Sequence, residues 1–117
     1  MPKSSPEPAH RRAQARLQQI RQSLSEIDYI VSGTLLRRTK QCGKPSCACA
    51  TDAAARHGPY YEWSRLERAR LVHTVLPRSL GPVFARALKN YRQLRRLLRR
   101  WERESVKALT TETEDDP

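Results

Sequence analysis

Four side chains that can bind a metal ion lie within sixteen residues of the chain. They are Cys42, Cys47 and Cys49, which are all of its cysteines, and His57, one of three histidines. Three thiolates and one imidazole form a donor set typical of a tetrahedral zinc site. A glycine and a proline let the chain turn between the first two cysteines, and the single residue between Cys47 and Cys49 places both sulfurs on one side of an extended segment. The pattern predicts a structural zinc ion bound by Cys42, Cys47, Cys49 and His57.

Two other interpretations of these cysteines stay open. They could be ordinary buried or free thiols beside a loop histidine, or two of them could form a disulfide. The odd number of cysteines argues against a disulfide, and so does the polar composition of residues 1–9, which lack the apolar segment of a secretion signal. No apolar stretch approaches the roughly 20 residues that a membrane span needs. We therefore expect a soluble intracellular protein, in the bacterial cytoplasm and associated with the nucleoid.

The segments around the cluster predict one small α+β domain over residues 9–109, between a disordered arm (1–8) and an acidic disordered tail (110–117). Apolar residues from Ala13 to Val31 recur three and four apart, which predicts a helix over residues 9–31 that ends at Gly33. A strand is expected over 34–41, the metal loop over 42–57, a hairpin over 60–76 and a second helix over 80–109, with Ser79 as its cap. The strands should form a small three-stranded antiparallel sheet. The hairpin connection contains no glycine or asparagine, so a tight two-residue turn is not expected.

The second helix carries the strongest pattern in the chain. Apolar and small residues repeat as a heptad seam from Phe84 through Leu98 and Ser105 to Ala108. A helix of this length needs a partner helix, and the N-terminal helix supplies one in the same chain. We predict that the two long helices pack antiparallel. A homodimeric coiled coil is the alternative.

The charge of the chain predicts a polyanionic partner. The net charge is +11 and the isoelectric point about 10.4, although the last eight residues carry four acids and no base. On the second helix, cations lie opposite the apolar seam, where they would repel one another in an isolated helix. The residues expected to contact nucleic acid, mostly through its backbone, are Arg37, Arg38, Lys40, Lys44, Arg86, Lys89, Arg92, Arg96, Arg99, Arg100 and Arg103. A solvated coiled-coil surface and a membrane-surface helix are the alternatives.

Other residues bear less directly on function. Trp63 is expected to pack in the core, although an aromatic strand beside basic residues could also stack on unpaired bases. The chain has no glycine-rich phosphate loop, no G-x-S-x-G motif and no carboxylate cluster for two-metal chemistry. Four protein ligands would also close a zinc site, and closed sites are structural. We therefore predict that the protein is not an enzyme.

The segments C-G-K-P-S-C-A-C, from Cys42, and H-G-P-Y-Y-E-W, from His57, resemble a family of small uncharacterised bacterial and archaeal proteins. In that family the two motifs precede a short hairpin and a C-terminal helix, and the resemblance covers about residues 17–105. Some members look like accessory proteins of mobile elements. The resemblance, with the charge, implies a DNA-binding accessory subunit of a recombinase or transposase. An RNA-binding protein and a coiled-coil adaptor for protein partners are the alternatives.

Overall fold

The computed structural model describes residues 8–112, which form an α+β fold with one three-stranded antiparallel sheet. Helix α1 (Pro8–Ser25) is followed by strands β1 (Thr34–Lys40), β2 (His57–Glu67) and β3 (Arg70–Leu76) and by helix α2 (Gly81–Glu112). The chain forms two compact units: the first is Met1–Tyr29 with Asn90–Pro117, and the second is Ile30–Lys89. The predicted arm, apart from Pro8, and residues 113–117 of the predicted tail lie outside the described residues, whereas residues 110–112 are helical.

The first unit has a small apolar core on α1. Ala13 and Leu17 are 0% and 6% exposed and pack with Ala108 and the partly buried Trp101 of α2. At the start of α1, the buried His10 donates its Nδ1–H to the carbonyl oxygen of Ala108 over 2.9 Å. Sequence analysis assigned no role to His10, because a histidine near the chain terminus carries no pattern of its own.

Helix α1 is shorter than predicted, because it ends at Ser25 and not at Val31. The N–H groups of Glu26 and Ile27 donate to carbonyls three residues back, which tightens and ends the last turn. Beyond it, the Asp28 carboxylate accepts from the N–H of Tyr29 at 2.7 Å, a local bond that competes with helix continuation. The prediction of two long helices packed antiparallel is therefore wrong, because α1 is a short helix of 18 residues beside an α2 of 32 residues.

Glu104 is a buried acid whose charge should stabilise the first unit. Burial acts to raise its pKa, but Lys107 and Arg16, each 3.4 Å from a carboxylate oxygen, outweigh burial, and the pKa is lowered. A depressed pKa contributes stability that is present above the unfolded-state value and is lost as pH falls through the folded-state value. We expect Glu104→Gln to lower the urea midpoint at pH 7 and to have a progressively smaller effect as the pH falls below about 4. The exposed Glu102→Gln is the control, and a Glu104→Gln effect that did not change with pH would contradict this account.

In the second unit, β2 is the central strand of the sheet. It pairs antiparallel with β1, from Thr34 opposite Ser64, and with β3, from Tyr61 opposite Leu76. One face of the sheet packs on the start of α2, where the rings of Trp63 and Phe84 meet edge to face at 5.2 Å. The Trp63 Nε1–H donates to the carbonyl of Ser32 at 2.8 Å, so the polar atom of this partly buried ring is satisfied.

Gly33 has a different role from the predicted helix stop. It lies directly before β1 with φ +112°, a conformation that favours glycine. A Cβ at this position would lie 2.3 Å from the carbonyl oxygen of Ser64. The glycine is therefore required by close approach to β2, and the end of α1 eight residues earlier does not depend on it.

The hairpin turn also differs from the prediction. Arg68 and Ala69 form a two-residue connection in which both φ angles are positive, +51° and +65°. Positive φ at both positions is the pattern of a type I′ turn, whose twist matches that of the flanking strands. The prediction was wrong because it relied on the residues preferred in such turns, and the pairing of β2 with β3 overrides that local preference here.

Helix α2 begins at Gly81, after a 3₁₀ turn that contains the predicted cap Ser79, and it ends at Glu112. Its buried face departs from the predicted heptad seam. Leu97 is 4% exposed whereas Leu98 is 51% exposed, and Glu104 is more buried than Ser105. The buried leucines of α2 are therefore Leu88 and Leu97, which lie beside the heptad seam. Within residues 8–112, no helix combines the length and apolarity needed to cross a membrane.

Candidate metal centre and basic surfaces

The four predicted metal ligands are brought together by the pairing of β1 with β2. Lys40 at the end of β1 lies opposite His57 at the start of β2, so the intervening loop must return to its own starting point. Inside the loop, the N–H of Cys47 donates to the carbonyl of Lys44, and Cys47 leads into a 3₁₀ turn that contains Cys49. A second 3₁₀ turn follows, capped by the Asp52 carboxylate, which accepts from the N–H of Ala54 at 3.0 Å. Successive tight turns thus direct the cysteines toward His57.

The donor atoms have the separations of a tetrahedral site. One sulfur or nitrogen from each of Cys42, Cys47, Cys49 and His57 lies within 4.8 Å of the other three. The Sγ atoms of Cys42 and Cys49 are 3.6 Å apart, and the Cys47 Sγ is 3.4 Å from the His57 Nε2. Tetrahedral bonds of about 2.3 Å to sulfur and about 2.0 Å to nitrogen imply edges of about 3.5 to 3.8 Å. The four side chains can therefore bind one metal ion with little rearrangement.

None of the three cysteines is in a disulfide. All three are free, and the 3.6 Å between the sulfurs of Cys42 and Cys49 is far longer than a disulfide bond of about 2.05 Å. Cys49 is 1% exposed, Cys47 is intermediate, and Cys42 and His57 are exposed. The cluster therefore has one ligand in the protein interior and an outer side that solvent can reach.

The thiols respond differently to their surroundings. A backbone hydrogen bond from Lys44, followed by bonding to Cys49, lowers the pKa of Cys42. A backbone hydrogen bond from Cys49 likewise lowers the pKa of Cys47. The backbone of Cys42 acts to lower the pKa of Cys49, but burial and the neighbouring thiols outweigh it, and the pKa is raised. Two of the three sulfurs are therefore already biased toward the thiolate form that binds metals.

The cations predicted to contact nucleic acid belong to two separate sets. The second unit contains Arg37, Arg38, Lys40, Lys44, Arg86 and Lys89, all exposed. In this set the Nε of Arg38 is 3.9 Å from the Glu62 carboxylate, and the Nζ of Lys40 is 5.6 Å from the centre of the Tyr60 ring. The first unit contains the other predicted residues, Arg92, Arg96, Arg99, Arg100 and Arg103, all exposed on α2.

Four arginines on α2 line a surface groove of about 320 Å³. They are Arg92, Arg95, Arg96 and Arg99, and among residues 8–112 none of them forms an ion pair with a carboxylate. The prediction omitted Arg95, because it occupies the flank of an ideal heptad. Its position three residues after Arg92 and four before Arg99 was the signal that places it on the same helical face.

A line of polar side chains crosses the open face of the sheet, and sequence analysis missed it. The His73 Nδ1 is 2.6 Å from the Ser64 hydroxyl and 3.6 Å from a Glu62 carboxylate oxygen. A serine–histidine–carboxylate relay uses both ring nitrogens of the histidine, whereas these two partners approach the same nitrogen. The pairing register of β2 with β3 brings these side chains together, and no local sequence pattern predicts that register.

Comparison with known proteins identifies one family. A family model described as "Domain of unknown function (DUF6788)" matches residues 10–85. No curated protein and no solved structure matches the chain. The predicted resemblance to an uncharacterised family is confirmed in that respect, although the match ends at residue 85 and not near 105. It contains the metal cluster and the sheet but not the arginine groove of α2.

Proposed function

The chain belongs to the DUF6788 family, whose description assigns no function, and from its geometry we propose a small zinc-stabilised protein that binds the phosphate backbone of DNA. The observation that carries the proposal is the groove on α2 lined by Arg92, Arg95, Arg96 and Arg99. Guanidinium groups without carboxylate partners are suited to phosphate oxygens, to which they donate in pairs.

The clustering of these arginines has a cost that a merely soluble helix would avoid. Like charges three and four residues apart destabilise a helix by about 0.2 to 0.5 kcal/mol per pair. Arg92 has such neighbours in Arg95 and Arg96, and Arg99 has the same two. A polyanion that neutralises the cluster removes this repulsion and releases its own counterions, so both effects favour binding.

Zinc is the metal that best fits the cluster. Three thiolates with one imidazole match the soft and borderline ligands that zinc prefers, in the tetrahedral arrangement that the donor separations permit. With all four positions supplied by protein, the ion would have a structural role. It would connect the end of β1 to the start of β2 and so hold the second unit, where β1 carries Arg37, Arg38 and Lys40.

Duplex DNA is favoured over single strands or RNA loops by the contacts of Trp63. Trp63 is engaged by Phe84 at its edge, by Ser32 at its nitrogen and by Arg65 at 3.9 Å from its ring centre. It is therefore poorly placed to stack on unpaired bases, which is the usual basis of single-strand recognition. RNA binding and a protein-adaptor role remain the alternatives, and a role beside a recombinase or transposase, or in the nucleoid, remains a prediction.

The salt dependence of DNA binding tests the proposal. We expect the affinity for a mixed-sequence duplex to fall steeply between 50 and 200 mM salt, by about 10³-fold if six or more phosphates are contacted. Fluorescence anisotropy on a labelled duplex measures this, with single-stranded DNA and structured RNA as competitors. Undetectable or salt-insensitive binding to duplex would contradict the proposal, and preferential competition by structured RNA would favour the RNA alternative.

A further inference from the structure

The tip of the β2–β3 hairpin carries two exposed leucines that face each other. Leu66 and Leu71 are paired across the strands and are 72% and 62% exposed. Directly opposed residues lie on the same face of a sheet with their Cβ atoms about 5 Å apart. The two side chains therefore form a single apolar projection next to the two-residue turn, a position where polar residues are the rule.

The end of this hairpin extends beyond the pairing of β2 with β1. The pairing of β1 with β2 begins at Thr34 opposite Ser64, and Gly33 lies beside Ser64 and Arg65. Residues 32–34 line a surface hollow together with Leu66 and Leu71, so one flank of the leucines lies beside this segment. Residues 67–70 project farther, and the turn lies about 10 Å beyond Ser64 at the usual rise per strand residue. A narrow projecting ribbon can enter a groove that a flat surface cannot.

Charge around the leucines indicates what they contact. Arg68 and Arg70 are exposed, and within residues 8–112 neither forms an ion pair. The one acid of the tip, Glu67, is already paired with Arg65 over 2.7 Å. An apolar projection flanked by unpaired cations matches a polyanion with an apolar interior, which describes a nucleic acid duplex with its charged backbone and stacked bases.

We propose that the hairpin tip is a second DNA contact, in which Leu66 and Leu71 act as an apolar wedge between base pairs while Arg68 and Arg70 contact the flanking phosphates. Insertion of aliphatic side chains from the minor groove partly unstacks a base step and kinks the duplex. Burial of two leucines offsets much of the unstacking cost, so the wedge alters the shape of the DNA more than the affinity. This inference rests on the proposed function, although it concerns different residues.

A bending measurement tests the wedge. The probe is a duplex of about 25 base pairs, short against the persistence length of about 150, labelled with a fluorescence donor and acceptor at its ends. We expect wild-type protein to increase energy transfer on binding, and Leu66→Ser/Leu71→Ser to lose at least half of that increase while its affinity changes by less than about fivefold. Both leucines are exposed, so the variant should fold, which circular dichroism checks. Leu66→Ala/Leu71→Ala should give an increase in energy transfer between those of the wild-type protein and the double serine variant.

Val75→Ser is the matched control, since Val75 lies on the same strand and the same sheet face and is 63% exposed but is remote from the turn. It should leave the bending unchanged. Normal bending by the double serine variant would overturn the wedge and would indicate that the leucines contact a protein partner. Binding of the wild-type protein to DNA without bending would overturn the wedge as well. If the wild-type protein bound no DNA at all, the proposed function would fail as well, so the two failures are distinguishable.

Discussion

Replacing Cys49 by serine is expected to remove the metal ion from the protein and to unfold the loop between β1 and β2. Cys49 is the buried member of the four candidate ligands, 1% exposed, and its loss leaves too few donors for a closed tetrahedral site. Structural zinc contributes about 10 kcal/mol or more to the folding of small zinc domains, so this should be the largest single-residue effect on stability in the chain. Elemental analysis should change from one zinc per chain to almost none. Hydrogen exchange should become fast over residues 41–57.

Ser46→Ala is the control in the same loop, because Ser46 is exposed and is not a ligand. It should keep a full complement of zinc. A chelator applied to wild-type protein gives a second measurement in case the serine variant cannot be purified, and it should lower the unfolding temperature. His57→Ala should weaken zinc binding less than Cys49→Ser, since three thiolates remain. Wild-type protein that is folded and free of metal after purification without chelators would refute the site.

Replacing the groove arginines by glutamine should almost abolish DNA binding without harming the fold. Each phosphate contact contributes about 0.9 to the slope of log affinity against log salt, so a variant that lacks four contacts should lose about 3.6 of that slope. Removal of like-charge pairs should leave the unfolding temperature of the free protein unchanged or raised. Salt titrations by fluorescence anisotropy and thermal unfolding measure the two effects. The substitutions are Arg92→Gln, Arg95→Gln, Arg96→Gln and Arg99→Gln.

Two further variants separate position from charge. Lysine at the same four positions keeps the charge, so it should keep most of the salt slope while losing the paired hydrogen bonds of the guanidinium groups. Glutamine at three exposed cations elsewhere in the chain should have a smaller effect per charge than glutamine in the groove; these cations are Arg12, Arg21 and Arg56. An equal effect per charge at both sets would show attraction by net charge alone and would contradict a groove-specific contact.

The parts of the fold that follow from short-range patterns were predictable. Periodic apolar residues located both helices, β-branched and aromatic residues located the three strands, and cysteine and histidine types located the metal cluster. The boundaries were less accurate. Local polar bonds at Asp28 end α1 early, and Leu97 rather than Leu98 lies on the buried face of α2. Neither effect is visible in a periodicity of three and four.

The sequence by itself determined which atoms could bind a metal and how much positive charge the chain carries, because both depend on residue type and close spacing. Tertiary structure decided how those groups meet. The pairing of Lys40 with His57 closes the metal cluster, and the pairing of Leu66 with Leu71 creates the hairpin tip. The physical reason is that strand register depends on the total free energy of packing and hydrogen bonding between distant segments, and a one-residue shift would turn each side chain to the opposite face. A local sequence pattern does not reveal this total free energy, so the register could not be predicted from the sequence.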